Sequence, residues 1–210
     1  MKKIVIFLLV FFIANLCHAN ELQNFGKQMS YFYLNPTENN FIEFQNRAAS
    51  FEQELKSSKN RADVLVAVMV ARIFEKYNWS IQHLFLKKQA FEILHGKSKL
   101  AKFINDDSIV NPTKLDIWWV SYFATGDEKY LYKILLYAGE ELPEQKKKNV
   151  SKLLIIGAAT WSFKSNSQQH KSVRDFALKM SSDTSLSIKK REYLLEVVAF
   201  VDNANAQQTK

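Results

Sequence analysis

Between Asn111 and Gly139 the chain repeats a helical apolar spacing twice, with start and stop signals around each copy. Leu115, Trp118, Trp119, Tyr122 and Phe123 fall three and four residues apart, the pattern of one helix face. Pro112 discourages continuation from upstream. Thr113 is placed to accept the amide hydrogen of Asp116, whose carboxylate suits the positive end of a helix. Gly126 suits the left-handed conformation that closes a helix, and Asp127 offers a cap for the next. Tyr130, Leu131, Ile134, Leu135 and Ala138 then repeat the spacing up to Gly139. Two helices closing on one another as an antiparallel hairpin are expected. A lone hairpin leaves apolar surface uncovered, so further helices must pack on it.

Composition agrees with that requirement. With 5 Gly and 3 Pro in 210 residues the chain has sparse punctuation for a protein built from many short strands, and 47% hydrophobic content with 13% aromatics argues against a disordered chain. The expectation is an all-α fold of about nine or ten helices packed as antiparallel hairpins, in a short solenoid-like or irregular stack.

The other helices follow in order. Leu22, Phe25, Met29, Phe32 and Tyr33 mark one face, ended by Asn35-Pro36. Thr37 caps the next helix, whose core positions are Phe41, Phe44, Ala48, Phe51 and Leu55. After a start signal at Asn60 and Asp63, the valine-rich run from Val64 to Ala71 continues through Ile73, Phe74 and Tyr77. That is too long for a typical strand, so it reads as a helix buried on most sides. Ser80 is the expected cap of the following helix, with Trp79 and Leu84 as a hydrophobic staple, Gly96 as its end, and Ile81, Leu84, Phe85, Phe91 and Leu94 in the core. Leu100, Phe103 and Ile104 suggest a short helix. Beyond the hairpin, Pro143 and Glu144 suit a first turn, and Val150, Leu153, Leu154, Gly157, Ala158 and Trp161 mark an inward face. Val173, Phe176, Ala177 and Met180 define one more helix, and Ile188, Leu195, Val198 and Val201 the last.

Residues 1–19 read as a signal peptide: Lys2 and Lys3, an apolar run from Ile4 to Ile13, and a small-residue junction that predicts cleavage between Ala19 and Asn20. The apolar run falls well short of the ~20 residues that span a bilayer. The domain layout expected is therefore a leader at 1–19, a single all-helical domain at 20–202 and a mobile C-terminal tail at 203–210. Export to the periplasm or medium follows. The single cysteine, Cys17, leaves with the leader, so the exported chain has no disulfide, thiolate metal site or cysteine nucleophile. Its formal charge falls from +8 to +6 with Lys2 and Lys3. The basic excess suits solubility or an anionic surface, and no nucleic acid partner is expected.

Few residues carry chemistry. Ser162, Ser165, Asn166 and Gln169 share about a third of a helix circumference beside Trp161, with His170 following, and form the one candidate binding patch. Such residues also gather at helix ends to satisfy local backbone groups. His83 and His95 lack partners at metal spacing, so neither a metal nor a cofactor is expected. The Trp118-Trp119 pair has core spacing. Lys146-Lys147-Lys148 points to different sides of a helix, and Asp106-Asp107 and Glu140-Glu141 are adjacent, loop-placed carboxylates.

The Gly126-Asp127 turn and Ala138 resemble the helical hairpin of the tetratricopeptide repeat. Pro112 to Asp127 and Ala158 to His170 are similar to the segments PxxLDxxWxxFFATGD and AAxWSxxSNxxQH of an uncharacterised family of secreted bacterial helical proteins. The resemblance implies fold and export and no activity. The function expected is a binding or scaffolding module for a protein or peptide in the bacterial envelope. The alternative is an all-α hydrolase or lyase acting on an envelope polymer.

Overall fold

The computed structural model describes residues 21, 23–57, 62–140 and 149–208, and every regular element among them is a helix. The chain adopts the all-α fold expected from its spacing. The leader with its Ala19/Asn20 junction, Leu22, Asn60, Glu141, Pro143, Glu144 and the Lys146–Lys148 run lie outside the described residues. Within the span read as one domain, residue contacts cluster in two compact units: residues up to Asn105 with Phe123–Gly126, and Asp106–Tyr122 with Asp127 onward.

The first unit holds α1 (23–31), a 3-10 turn at Phe32–Leu34, α2 (Glu38–Ser50), α3 (Glu52–Ser57), α4 (Ala62–Tyr77), α5 (Leu84–His95) and α6 (Lys99–Asn105). Thr37 caps α2 as expected, accepting from the Asn40 amide at 3.2 Å. Phe41, Phe44, Ala48, Phe51 and Leu55 are all buried, and the Phe25 ring stacks on Phe44 at 5.2 Å. The valine-rich run is helical, and α4 packs between α3 and α5, while α6 packs on α5.

The start of α5 differs from expectation. Gln45, fully buried on α2, donates to the Ser80 carbonyl at 3.2 Å and accepts from the Gln82 amide at 2.7 Å. Those bonds hold the segment after α4 as an extended link, so the helix begins at Leu84 rather than at a Ser80 cap. Leu84 is exposed, which rules out its staple with Trp79; that indole stacks on Tyr77 at 4.4 Å instead. With the start moved, Leu86, Ala90 and Ile93 face inward together with Ile81, whereas Phe85, Phe91 and Leu94 do not reach full burial.

The second unit holds most of α7 (Pro112–Thr125) and all of α8 (Glu128–Leu135), α9 (Val150–Gln169), α10 (Lys171–Ser181) and α11 (Ile188–Gln208). Pro112 opens α7 as its first helical residue, where its missing amide costs nothing. The cap is Asn111, accepting from the Lys114 amide at 2.9 Å, two residues before the Thr113 expected. Leu115, Trp118, Trp119, Tyr122 and Phe123 are buried. The turn to α8 has the predicted form, with Gly126 at φ +67° and Asp127 accepting from the Lys129 amide at 3.0 Å. Trp118 stacks on Tyr137 at 6.1 Å, which brings the chain after α8 back beside the first half of α7. Gly139 is required twice over: its φ is +66°, and a Cβ would meet the Tyr193 ring at 2.3 Å.

Helices α9, α10 and α11 pack on one another, with the Phe163 ring 6.3 Å from Trp119, 6.4 Å from Phe176 and 6.5 Å from Tyr193. The expected face of α10 is buried throughout. On α11 only half of the expected face holds. Val198 and Val201 are buried with Leu194 and Val197, while Ile188 and Leu195 are exposed. The helix also continues through Gln208, over the segment expected to be a tail. Alanine and glutamine are good helix formers and nothing there breaks the pattern.

Candidate binding face on helix α9

Helix α9 starts at Asn149, whose side chain accepts from the Lys152 amide at 3.0 Å, and ends at His170, whose own amide bonds the Asn166 carbonyl. Apolar residues occur on both of its sides, so periodicity alone does not settle which side turns inward. The structure buries Ile155, Ile156, Ala159, Phe163 and Ser167. The face expected to be inward is the outer one. Val150, Leu154 and Trp161 are 65%, 61% and 73% exposed, with Leu153 also exposed and open space over Gly157. The reason is volume: Phe163 and the isoleucines fill the gap toward α10 and α11, while the opposite stripe, with its glycine, stays exposed among the described residues. The charged residues of α9 are Lys152 and Lys164, and the Lys164 amine sits 3.9 Å over the Phe200 ring.

The polar patch flanks this stripe at its C-terminal half. Ser162 Oγ accepts from the Trp119 indole N–H at 3.1 Å and donates to the Ala159 carbonyl at 3.2 Å. Asn166 donates to the Ser162 carbonyl at 2.9 Å, and Gln169 donates to Ser165 at both its carbonyl and its hydroxyl. These are largely bonds within one helix turn, of the kind such residues make wherever they stand in a helix. The structure brings Ser162, Ser165, Asn166 and Gln169 to one side of α9. It sets His170 apart from them: the imidazole is 2% exposed at the junction with α10, and burial pushes its pKa down to about 4.

Asp107, a member of one of the two adjacent pairs of loop carboxylates, is the centre of a polar cluster. It accepts from Trp118 Nε1 at 3.0 Å, bonds Lys133 and lies 3.6 Å from the amine of Lys114. Burial raises its carboxyl, but the bonds from Lys133 and Trp118 and the two lysine charges outweigh that and hold it below the ordinary carboxylate range. Lys114 is 0% exposed and burial lowers its amine, while the charge of its partner Asp107 and their hydrogen bond work the other way. Adjacent carboxylates give no local signal of this arrangement, because the two lysines are set by the packing of α7, which carries Lys114, and α8, which carries Lys133.

No family model matches the chain, and no curated protein or solved structure matches it. Among the described residues no group of three or more His, Cys, Asp or Glu side chains is placed to hold a metal, and no helix is long and apolar enough to cross a membrane. His83 bonds Asn46 at 2.9 Å, and His95 meets the Phe91 ring edge-on at 5.8 Å.

Proposed function

We propose that the chain is an exported binding or scaffolding module of the bacterial envelope, and that it engages a protein or peptide partner through the outer face of α9. The observation that supports this is the second apolar face of that helix. A helix apolar on two sides is stable in water when both are covered, and here the described residues cover one. An exposed tryptophan beside Leu154 and Val150, with a flat spot at Gly157 and polar groups at one end, is the composition of a contact centre. Export rests on residues 1–19, and an exported protein beginning at Asn20 by mass spectrometry is the expected outcome; a mature mass retaining the leader refutes it.

A photo-reactive residue in place of Trp161, with a control at exposed Lys99 on α6, tests the face in cells. The expected result is a discrete adduct formed from position 161 and not from 99, lost when Leu154 is also changed to Ser. The same adducts from both positions, or none from 161, overturn the reading.

A further inference from the structure

Charge is not spread evenly over the chain. From Leu84 to Asn105, the span of α5, its link and α6, five lysines (Lys87, Lys88, Lys97, Lys99 and Lys102) stand against one acid, Glu92. That net +4 is most of the +6 carried by the residues beyond Ala19. All five lysines are exposed, and among the described residues none pairs with a carboxylate. On α4, which packs on α5, Glu75 holds Arg72 at 2.9 Å, and Asp63 lies with Glu92 and Lys88 around one cleft. Residues 58–61, which precede α4, add Lys59 and Arg61 and no acid, so the sign does not turn on them. Asp106 and Asp107 follow α6 but belong to the other unit, where Asp107 bonds Lys133 and Trp118.

The outer side of α5 is apolar as well as basic. At about 100° per residue, Leu84, Lys88, Phe91 and His95 fall within about 60° of arc, with Lys87 at one edge, opposite the buried Leu86, Ala90 and Ile93. Leu84 is 65% exposed. Phe91, expected in the core, is exposed too, resting on Phe74 at 5.3 Å and meeting the His95 ring. A lysine face that only keeps the chain in solution gains nothing from a leucine and a phenylalanine at its centre. An anionic lipid surface uses both groups: ammonium ions meet the headgroup phosphates, and the apolar side chains enter the boundary with the acyl region. A soluble polyanion would use the charges and leave the apolar pair in water, so the pair selects the lipid.

We infer that the outer face of α5 docks the chain on an anionic bilayer surface, with Leu84 and Phe91 entering the interface and Lys87 and Lys88 meeting the headgroups. Lys97, Lys99 and Lys102 add to the attraction from the link and from α6. The site lies in a different unit from the α9 face and stands or falls separately from it.

The test is flotation of the chain from Asn20 onward with vesicles of phosphatidylcholine alone, or with about 30% phosphatidylglycerol. The anionic vesicles are expected to bind it about tenfold or more tightly than the neutral ones, and about tenfold less tightly when salt rises from about 0.1 to about 0.5 M. Changing Lys87 and Lys88 together to Gln is expected to weaken binding about tenfold or more, and Leu84→Ser about tenfold. Both changes fall on exposed side chains, so thermal unfolding should not move. Because the one cysteine, Cys17, precedes Asn20, Leu84→Cys carries a single environment-sensitive dye, as does Leu195→Cys on α11 as a control. Anionic vesicles should shift the dye emission to shorter wavelength from position 84 and not from 195. No binding up to about 5 mM anionic lipid, equal binding to neutral vesicles, or an unmoved dye at position 84 each overturns the inference. So does full binding by Leu84→Ser with polyphosphate bound as tightly as vesicles, which makes the face a polyanion site. Loss of binding when Leu154 and Trp161 are changed to Ser, with the lysine variant unaffected, overturns it by placing the contact on α9.

Discussion

The Trp119 indole nitrogen on α7 donates to the Ser162 hydroxyl on α9 at 3.1 Å, so a core side chain and a member of the polar patch hold each other. Trp119 is 5% exposed and its ring touches Tyr122 and Phe163. Trp119→Ala therefore removes a large buried ring and should cost about 3 to 5 kcal/mol in denaturant unfolding. Ser162→Ala leaves the indole N–H buried without its acceptor and should cost about 1 to 3 kcal/mol. Losses below half a kcal/mol in both would show that this junction does not support the fold.

The remaining patch residues should behave differently. Asn166 and Gln169 donate to groups of their own helix turn, and a helix keeps its backbone bonds without them. Changing both to Ala should move stability by no more than about 0.5 kcal/mol, read by the urea midpoint, and leave circular dichroism unchanged. A loss of 2 kcal/mol or more would mean that they are structural.

What could be read from the sequence follows the local character of each signal. Gly126 and Asp127 form the predicted turn because a left-handed glycine and an Asx cap act on their own backbone. Helix α4 was legible because eight of its residues are buried, so any phase of the periodicity gives the same answer. The inner face of α9 was not legible, because Leu154 and Ile155 are neighbours of nearly equal hydrophobicity and only the partners of Phe163, from α7, α10 and α11, decide between them. The Ser80 signal failed for a similar reason. Gln45, thirty-five residues earlier, takes the Ser80 carbonyl that a helix start would have used. The Asp107 cluster draws on Lys114 and Trp118 from α7 and on Lys133 from α8, and it has no motif.

Lys190 shows what such a distant contact contributes. Its amine is buried against the end of α8, donating to the carbonyls of Ala138 at 2.6 Å and Leu135 at 2.9 Å and lying 3.3 Å from Glu140. Leu135 is the last residue of α8, beyond which the helix supplies no amide for its carbonyl, Ala138 lies in the turn that follows, and a cation at a helix C-terminus also suits the helix dipole. Burial lowers the amine, with the Glu140 charge and its hydrogen bond working the other way. Lys190→Met keeps the length and removes the donor, and should cost about 2 to 3 kcal/mol in thermal or urea unfolding. An unchanged midpoint would mean that water replaces the amine at no cost.

His170 gives the chain a pH dependence whose sign can be stated. Its folded pKa of about 4 lies below the ordinary 6.5 because burial disfavours the imidazolium. As pH falls below 6.5 the unfolded chain takes up a proton there and the folded chain does not, so the folded state loses ground. The stability is fully present above about 6.5, declines down to about 4, and changes no further below that, amounting to about 3 kcal/mol across the window. His170→Gln removes the titration. Carboxylates also titrate in the lower part of this range, so the comparison between the two proteins isolates the histidine. Between pH 7.5 and pH 4 the wild type should lose about 3 kcal/mol more than His170→Gln in urea unfolding. Parallel pH curves would show that the imidazole accepts its proton inside the folded chain as readily as in water.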